Sequence, residues 1–261
     1  MRTGLVIAAV LAFAAPTAAQ TTDGWDVRSD PASGVTVAGA AFNSGLAVIF
    51  RCQAGSLDAI LTGLPAGDPG GRRLELSYAG SPFEPQGWIT AEAPTAAYSQ
   101  RPARLARLAR SGQGLAVRVP ATDWERAQVF QMALPRDPAG LDAVLTACGA
   151  PVEDPRDGLP VYVSDPADPV TWETPPAPVF PAGAAEAGVL SGRVSLSCLI
   201  GADARPRDCV VEMQSPSGRG FDRAALAAAA AARFDLPNDP ASAVGKLIVF
   251  QVPFRAPQQA R

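Results

Sequence analysis

The chain has 261 residues, 48% of them hydrophobic, and a formal net charge of −3. This length accommodates one large or two small domains with real hydrophobic cores, and the slight acidic excess does not favour binding to nucleic acid. The sequence contains no histidine, which excludes Ser-His-Asp triads and Cys-His dyads and removes the commonest nitrogen ligand of metals.

Other catalytic arrangements find little support in the sequence. Lys246 is the only lysine, and no serine stands three residues before it, so serine-lysine chemistry is not indicated. Aspartate and glutamate are plentiful, but no spacing singles out a catalytic pair. We therefore expect a protein that is not an enzyme and that holds no cofactor or metal. The alternative is a carboxylate-dependent hydrolase in the N-terminal domain.

The first residues predict a cleavable secretory signal peptide over residues 1–19. Arg2 precedes an apolar run of eleven residues from Leu5 to Ala15, and small residues follow up to Ala19. An uncleaved anchor is the weaker alternative, because a membrane helix needs about 20 apolar residues. No later stretch is long enough to span a membrane. We expect an exported, periplasmic protein with no membrane span after cleavage.

Residues 20–150 predict a small β-rich domain of the α+β class. Short runs with strand character alternate with turns that contain glycine or proline; the candidate strands are Val35–Ala41, Leu46–Cys52, Leu57–Leu64, Arg73–Ser77, Trp88–Ala91, Leu115–Val119 and Val129–Leu134. Two helices interrupt them, over residues 101–110 and 137–149.

A row of arginines follows the first of these helices. Arg101, Arg104, Arg107 and Arg110 recur at every third residue. One interpretation is a basic surface for an anionic wall polymer or for lipid headgroups. We favour the other interpretation, a solvated helix face, because so short a segment binds a surface weakly.

Residues 151–178 predict a proline-rich linker between two domains. The segment holds eight prolines in 28 residues, a density that disfavours regular helix or sheet and favours extended polyproline II geometry. We expect a semi-rigid spacer. The alternative is an ordered loop that lies against a neighbouring domain and is held there by Val161, Tyr162, Val163 and Trp172.

Cys198 and Cys209 lie on two strand-like runs either side of a short polar turn. Apolar and polar residues alternate around each cysteine, so both fall on apolar strand faces. A hairpin that turns at Asp203 and Ala204 would place them directly opposite, within reach of a disulfide. A zinc site would need four ligands from a chain without histidine, and a redox pair normally has C-x-x-C spacing. We therefore predict a structural Cys198–Cys209 disulfide.

Cys52 and Cys148 remain as the natural second pair. Cys52 ends a predicted strand and Cys148 lies in the last helical turn before the linker, so their bond would close the N-terminal domain. Four cysteines allow three connectivities, and only the hairpin argument and the domain division select this one.

Residues 179–261 predict a C-terminal domain with the element order ββαβ. The cysteine hairpin is followed by an alanine-rich helix that begins near Phe221 and stops by Leu236–Pro237, with Phe221, Leu226 and Phe234 as its larger anchors. A last strand of alternating apolar residues completes the domain.

This order of elements resembles the C-terminal domain of TonB, the periplasmic module that engages outer-membrane transporters. The matching segments are PVFP, where the family has Pro-x-Tyr-Pro, then GRVSLSCLIGADARPRDCVV, SPSGRGFDRAALAAAAAARF and a closing strand after Gly245. The resemblance covers residues 179–254 and does not extend to residues 25–150. TonB proteins carry a membrane-spanning helix with a histidine that couples to a proton motor, and this chain has no histidine. We therefore expect no energy coupling.

The resemblance implies peptide capture by strand addition at the edge of the last strand. The implied binding residues are Leu247, Ile248, Val249, Phe250, Gln251 and Val252, and Pro253 limits the edge because proline cannot donate a hydrogen bond. The implied partner is a protein, which could be an outer-membrane transporter. The alternative is a purely structural or dimerising use of the same edge, with a second copy of the chain in a homodimer. We thus expect a non-enzymatic binding or scaffolding protein, with an envelope-surface binder as a further alternative.

Overall fold

The structure is a computed structural model that describes residues 24–257. The signal peptide predicted over residues 1–19 lies outside the described residues. Within the described range, no helix is both long enough and apolar enough to cross a bilayer.

The N-terminal domain is built on one nine-stranded antiparallel sheet. Its strands are β1 (Asp26–Asp30), β2 (Val35–Ala41), β3 (Ala47–Gln53), β4 (Ser56–Thr62), β5 (Arg72–Tyr78), β6 (Glu84–Thr90), β7 (Ala97–Ser99), β8 (Leu115–Val119) and β9 (Gln128–Met132). They lie in the order β1-β2-β3-β4-β7-β6-β5-β8-β9. The helices are α1 (Pro102–Ala109), between β7 and β8, and α2 (Ala139–Ala147), after β9.

Alternation of apolar and polar residues explains how this sheet forms its core. In β3 and β4 every second residue is buried, and α1 packs against β4 while α2 packs against β2 and β3. Phe50, Trp88, Leu105 and Leu141 belong to the resulting contiguous core. All the candidate strands of the sequence overlap observed strands. β1 and β7 were not predicted, because β1 is exposed along its whole length and β7 has only three residues.

The proline-rich linker and the C-terminal domain supply the remaining elements. They are β10 (Thr171–Thr174), α3 (Ala182–Glu186), β11 (Ser191–Ile200), β12 (Pro206–Ser215), α4 (Phe221–Ala231), β13 (Arg233–Asp235) and β14 (Leu247–Arg255). A three-stranded antiparallel sheet has the order β12-β11-β14, and α4 packs on β11 and β12. The α+β class and the ββαβ order of the sequence prediction are therefore present.

Helix α4 ends earlier than the sequence predicts. The alanine run favours helix up to Leu236, but Ala232 is already extended and Phe234 lies in β13. The Phe234 N–H donates to the carbonyl oxygen of Ala204 at 2.7 Å, and its ring stacks on Trp172 with a centroid distance of 4.5 Å. The prediction that Phe234 anchors the helix is thus wrong, because tertiary contacts outweigh helix propensity there.

The proline-rich linker is docked rather than free. Val161 forms a parallel bridge with Leu247, and β10 pairs with β13. Tyr162, Val170 and Trp172 pack against a small hydrophobic cluster of the C-terminal domain. Val163 is 54% exposed and contributes no comparable packing. The segment is therefore the ordered loop of the alternative interpretation, and the prediction of a semi-rigid spacer is wrong.

The structure contains the Cys52–Cys148 and Cys198–Cys209 disulfides, with Cα atoms 5.4 and 4.1 Å apart. The hairpin register differs slightly from the prediction. A register shift between Leu199 and Ser197 leaves two residues, Asp208 and Cys209, opposite Cys198, and Asp208 has a positive φ of 46°. Cys209 therefore reaches its partner from a β-bulge instead of from a regular pair.

Candidate peptide-binding edge

The C-terminal sheet has two outer strands, β12 and β14, and the N-terminal domain covers the first. The Ser56 hydroxyl donates to the Gln214 carbonyl oxygen at 3.2 Å, and Arg101 forms an ion pair with Glu212 at 3.1 Å. The Arg156 guanidinium also donates to the carbonyl oxygen of Asp208, at 2.9 Å. The open edge of this sheet is consequently that of β14.

The backbone N–H and C=O groups of successive β14 residues point alternately toward β11 and away from it. The Ile200 N–H donates to the Lys246 carbonyl oxygen at 3.0 Å, and the Ala256 N–H donates to the Leu190 carbonyl oxygen at 2.9 Å. These two bonds show that even-numbered residues turn their backbone groups toward β11, so odd-numbered residues turn theirs outward. Pro253 is odd-numbered, and its missing N–H therefore leaves the pairing with β11 intact.

The linker occupies the beginning of this open edge. The Leu247 N–H donates to the Pro160 carbonyl oxygen, and the Leu247 carbonyl accepts from the Tyr162 N–H, both at 2.8 Å. Beyond that point, the outward N–H and carbonyl groups of Val249 and Gln251 have no partner among residues 24–257. A strand could be added at these two residues.

The six residues that the family resemblance implies have different surroundings. Ile248, Phe250 and Val252 lie on one face of β14 and belong to, or pack against, the hydrophobic clusters of the domain. Leu247 is fully buried. Val249 and Gln251 are half-buried and combine outward backbone groups with access from solvent. Of the six residues, Val249 and Gln251 are thus the ones whose outward backbone groups have no partner within residues 24–257.

A cleft of about 490 Å³ opens beside Gln251. Its other walls come from β5 and β6, from Gln100 and from the linker at Tyr162, Val163 and Ser164. None of the residues from 24 to 257 that line it is aspartate or glutamate. Sequence reasoning missed this cleft because its walls belong to segments that are far apart in the chain and carry no shared motif.

Two consecutive arginines give the cleft its charge. The Arg72 guanidinium donates to the Pro65 carbonyl oxygen at 2.7 Å, and its burial lowers its pKa, an effect that the nearby charge of Asp68 opposes. Arg73 is exposed and forms no ion pair with any residue in the described range. Gly87 pairs with Arg73 across the sheet, and a Cβ there would lie 2.9 Å from the Gln100 side-chain nitrogen.

A second hollow, of about 280 Å³, lies between the N-terminal domain and β12. It contains Asp154 and Glu212, but each of these carboxylates is paired with an arginine, Asp154 with Arg107 at 3.4 Å and Glu212 with Arg101 at 3.1 Å.

These contacts correct both interpretations of the arginine row. The side chains of Arg101 and Arg107 are only 12% and 7% exposed and bind carboxylates within the chain.

Comparison with known families identifies the C-terminal part of the chain. Residues 176–255 match the family described as Gram-negative bacterial TonB protein C-terminal, a match that begins in the last residues of the linker and ends with β14. The matched segment is less than half of the chain. No curated protein matches the chain. Residues 176–255 are accordingly similar to the C-terminal domain of Gram-negative bacterial TonB proteins.

Proposed function

We propose that this chain is an exported, periplasmic binding or scaffolding protein whose C-terminal domain captures an extended segment of a protein partner along β14. The observation that carries the proposal is the pair of outward, unpartnered backbone positions at Val249 and Gln251. The TonB-like match supports a role in contact between proteins. Strand addition uses main-chain hydrogen bonds of this kind.

The number of unpartnered backbone groups on β14 limits the affinity for a captured segment. Val249 and Gln251 each offer one donor and one acceptor, and a typical hydrogen bond contributes about 1 kcal/mol net. Four such bonds correspond to a Kd of about 1 mM at best, because the entropy lost on association opposes them, so the edge alone gives a weak and reversible contact. A useful affinity requires further contacts outside β14.

The proposed partner is an outer-membrane transport protein, in keeping with the family resemblance. A second copy of the chain is the other candidate, because an antiparallel pair of β14 strands would be self-complementary. We propose no enzymatic step for the N-terminal domain. Asp154 and Glu212 are bound by arginines, which leaves neither of them free to act as an acid or base.

A proline substitution at Gln251 tests the proposal. Gln251→Pro removes an outward N–H and leaves the bonds to β11 in place, and Pro253 already occupies the same side of the strand. Gln251→Thr is the matched control, since it changes the side chain and retains the N–H. With the full mature chain as bait and a cross-linked Gram-negative envelope extract, we expect an outer-membrane protein to be recovered with the wild type and with Gln251→Thr.

Recovery should fall about fivefold with Gln251→Pro, the factor that corresponds to about 1 kcal/mol for one lost hydrogen bond. Equal recovery with both variants would contradict strand addition. If only the chain itself is recovered, and Gln251→Pro abolishes that recovery, the partner is a second copy instead of a transporter.

A further inference from the structure

The cleft beside β14 joins the two parts of the molecule at the proposed capture edge. Gln251 of β14 lines it from the C-terminal domain, and Arg72, Arg73, Gln86 and Gln100 line it from the N-terminal domain. The family match at residues 176–255 includes only the first of these residues. A segment paired with Val249 and Gln251 would therefore run past side chains that the matched family does not provide.

The charge of this cleft contrasts with that of the whole chain. The chain has a net charge of −3, yet the cleft is lined by two arginines and, within residues 24–257, by no carboxylate. The Arg73 guanidinium has no internal ion pair in the same range, unlike Arg107 of helix α1 and the flanking residues Arg101 and Arg110. A cation without an internal partner beside an open strand edge is available to a ligand.

We propose that the N-terminal domain supplies the specificity of the peptide site: the segment captured along β14 carries an acidic side chain that binds Arg73 in this cleft. The inference rests on the proposed strand addition. A guanidinium accepts a carboxylate through two parallel hydrogen bonds, which recognises the charge and fixes the register of the captured strand.

The polar neighbours of Arg73 suit an extended peptide. Gln100 also lines the cleft, and its side-chain amide can both donate to and accept from a peptide backbone. Because Gly87 has no side chain, the Gln100 amide can lie directly against the backbone of β6 in this wall. The site thus consists of a backbone edge for affinity and a basic cleft for selection.

Selection from a library of random ten-residue peptides displayed on phage tests the inference without knowledge of the natural partner. Four forms of the full mature chain are compared: the wild type, Gln251→Pro, Arg73→Gln and Arg28→Gln. Arg28→Gln is the matched control, because Arg28 is an exposed arginine on β1, with an 82% exposed side chain, and does not line the cleft. Arg73 is exposed as well, so its replacement should leave the fold intact.

We expect the peptides selected by the wild type to be enriched in aspartate or glutamate and to lose binding to Gln251→Pro. For one such peptide, Arg73→Gln or conversion of its carboxylate to the amide should each weaken binding about tenfold, as measured by fluorescence anisotropy. The two changes combined should cost little more than either alone, because they remove the same contact. Arg28→Gln should bind like the wild type.

The outcomes separate this inference from the proposed function. Peptides that depend on Gln251 but show no acidic preference would overturn the inference and leave strand addition standing. Acidic peptides that depend on Arg73 but not on Gln251 would also overturn it, because the cleft would then act apart from β14. A library that yields no binder sensitive to Gln251→Pro would contradict the proposed function itself.

Discussion

At the scale of single residues, Arg107 of α1 shows that a buried arginine binds a carboxylate within the chain instead of facing solvent. Arg107 donates to both carboxylate oxygens of Asp157, at 2.5 and 2.9 Å, and its side chain is only 7% exposed. Burial by itself lowers the pKa of Arg107, but the hydrogen bond and charge of Asp157 outweigh this effect and raise it. The guanidinium is therefore a charged part of the contact between α1 and the linker.

Removal of one partner from this pair should destabilise the fold. We expect Asp157→Asn to lower the free energy of unfolding by about 1–3 kcal/mol, because it leaves the buried guanidinium with only the more distant carboxylate of Asp154, at 3.4 Å. Asp26→Asn is the control, since Asp26 and Arg28 form an ion pair whose side chains are 71% and 82% exposed, and it should cost less than about 0.5 kcal/mol. Urea unfolding followed by circular dichroism measures both, and equal values would contradict a structural role for Arg107.

At the scale of secondary-structure elements, the two disulfides connect elements that pack on each other. Cys52 in β3 is bonded to Cys148 at the end of α2, across a sequence separation of 96 residues. Cys198 and Cys209 join neighbouring strands of one hairpin, with a separation of 11 residues. The longer loop loses more chain entropy when the bond closes, so the two bonds should differ in their contribution to stability.

This difference can be measured by replacing each pair with alanine. The chain-entropy relation predicts a loss of about 4–5 kcal/mol without the Cys52–Cys148 bond, and about 3 kcal/mol without the Cys198–Cys209 bond. Guanidinium unfolding of the two double variants, each compared with the oxidised wild type, gives the values. A larger loss for the hairpin variant would show that chain entropy does not govern these bonds.

At the scale of the whole molecule, the docked linker and the buried ion pairs hold the two domains together. Arg101, which immediately precedes α1, reaches Glu212 of β12, and Arg107 of α1 reaches Asp154 and Asp157 of the linker. The linker in turn bonds to β14 through Pro160 and Tyr162. This arrangement places the cleft, with its walls from both domains, in a defined position.

Small-angle X-ray scattering of the chain without residues 1–19 tests this arrangement. A compact protein of this length has a radius of gyration of about 17–18 Å, and a free proline-rich spacer would give a clearly larger value. We expect the compact value for the wild type and for the control Arg28→Gln. The double variant Arg101→Ala, Arg107→Ala should be larger, because it removes the ion pairs at the contact. An unchanged radius in the double variant would show that apolar contacts alone hold the domains.

The amino-acid sequence by itself determined those features that depend on neighbouring residues. Alternation predicted β2 and β8 at their observed ends, Pro102 marked the start of α1, and the spacing of Cys198 and Cys209 indicated their bond. The TonB-like order of the last elements could be read in the same way, because each element has a local pattern. The α+β class followed from these local signals.

Only the tertiary structure decided the surroundings of the candidate site. The partners of the α1 arginines lie far away in the chain, and no local pattern connects Arg101 with Glu212. The end of α4 depends on Phe234 meeting Ala204 and Trp172. Likewise, Gln251 and Arg73 line one cleft, which the docked linker borders at Tyr162, Val163 and Ser164. Such contacts arise from packing between distant segments, which a sequence pattern does not encode residue by residue.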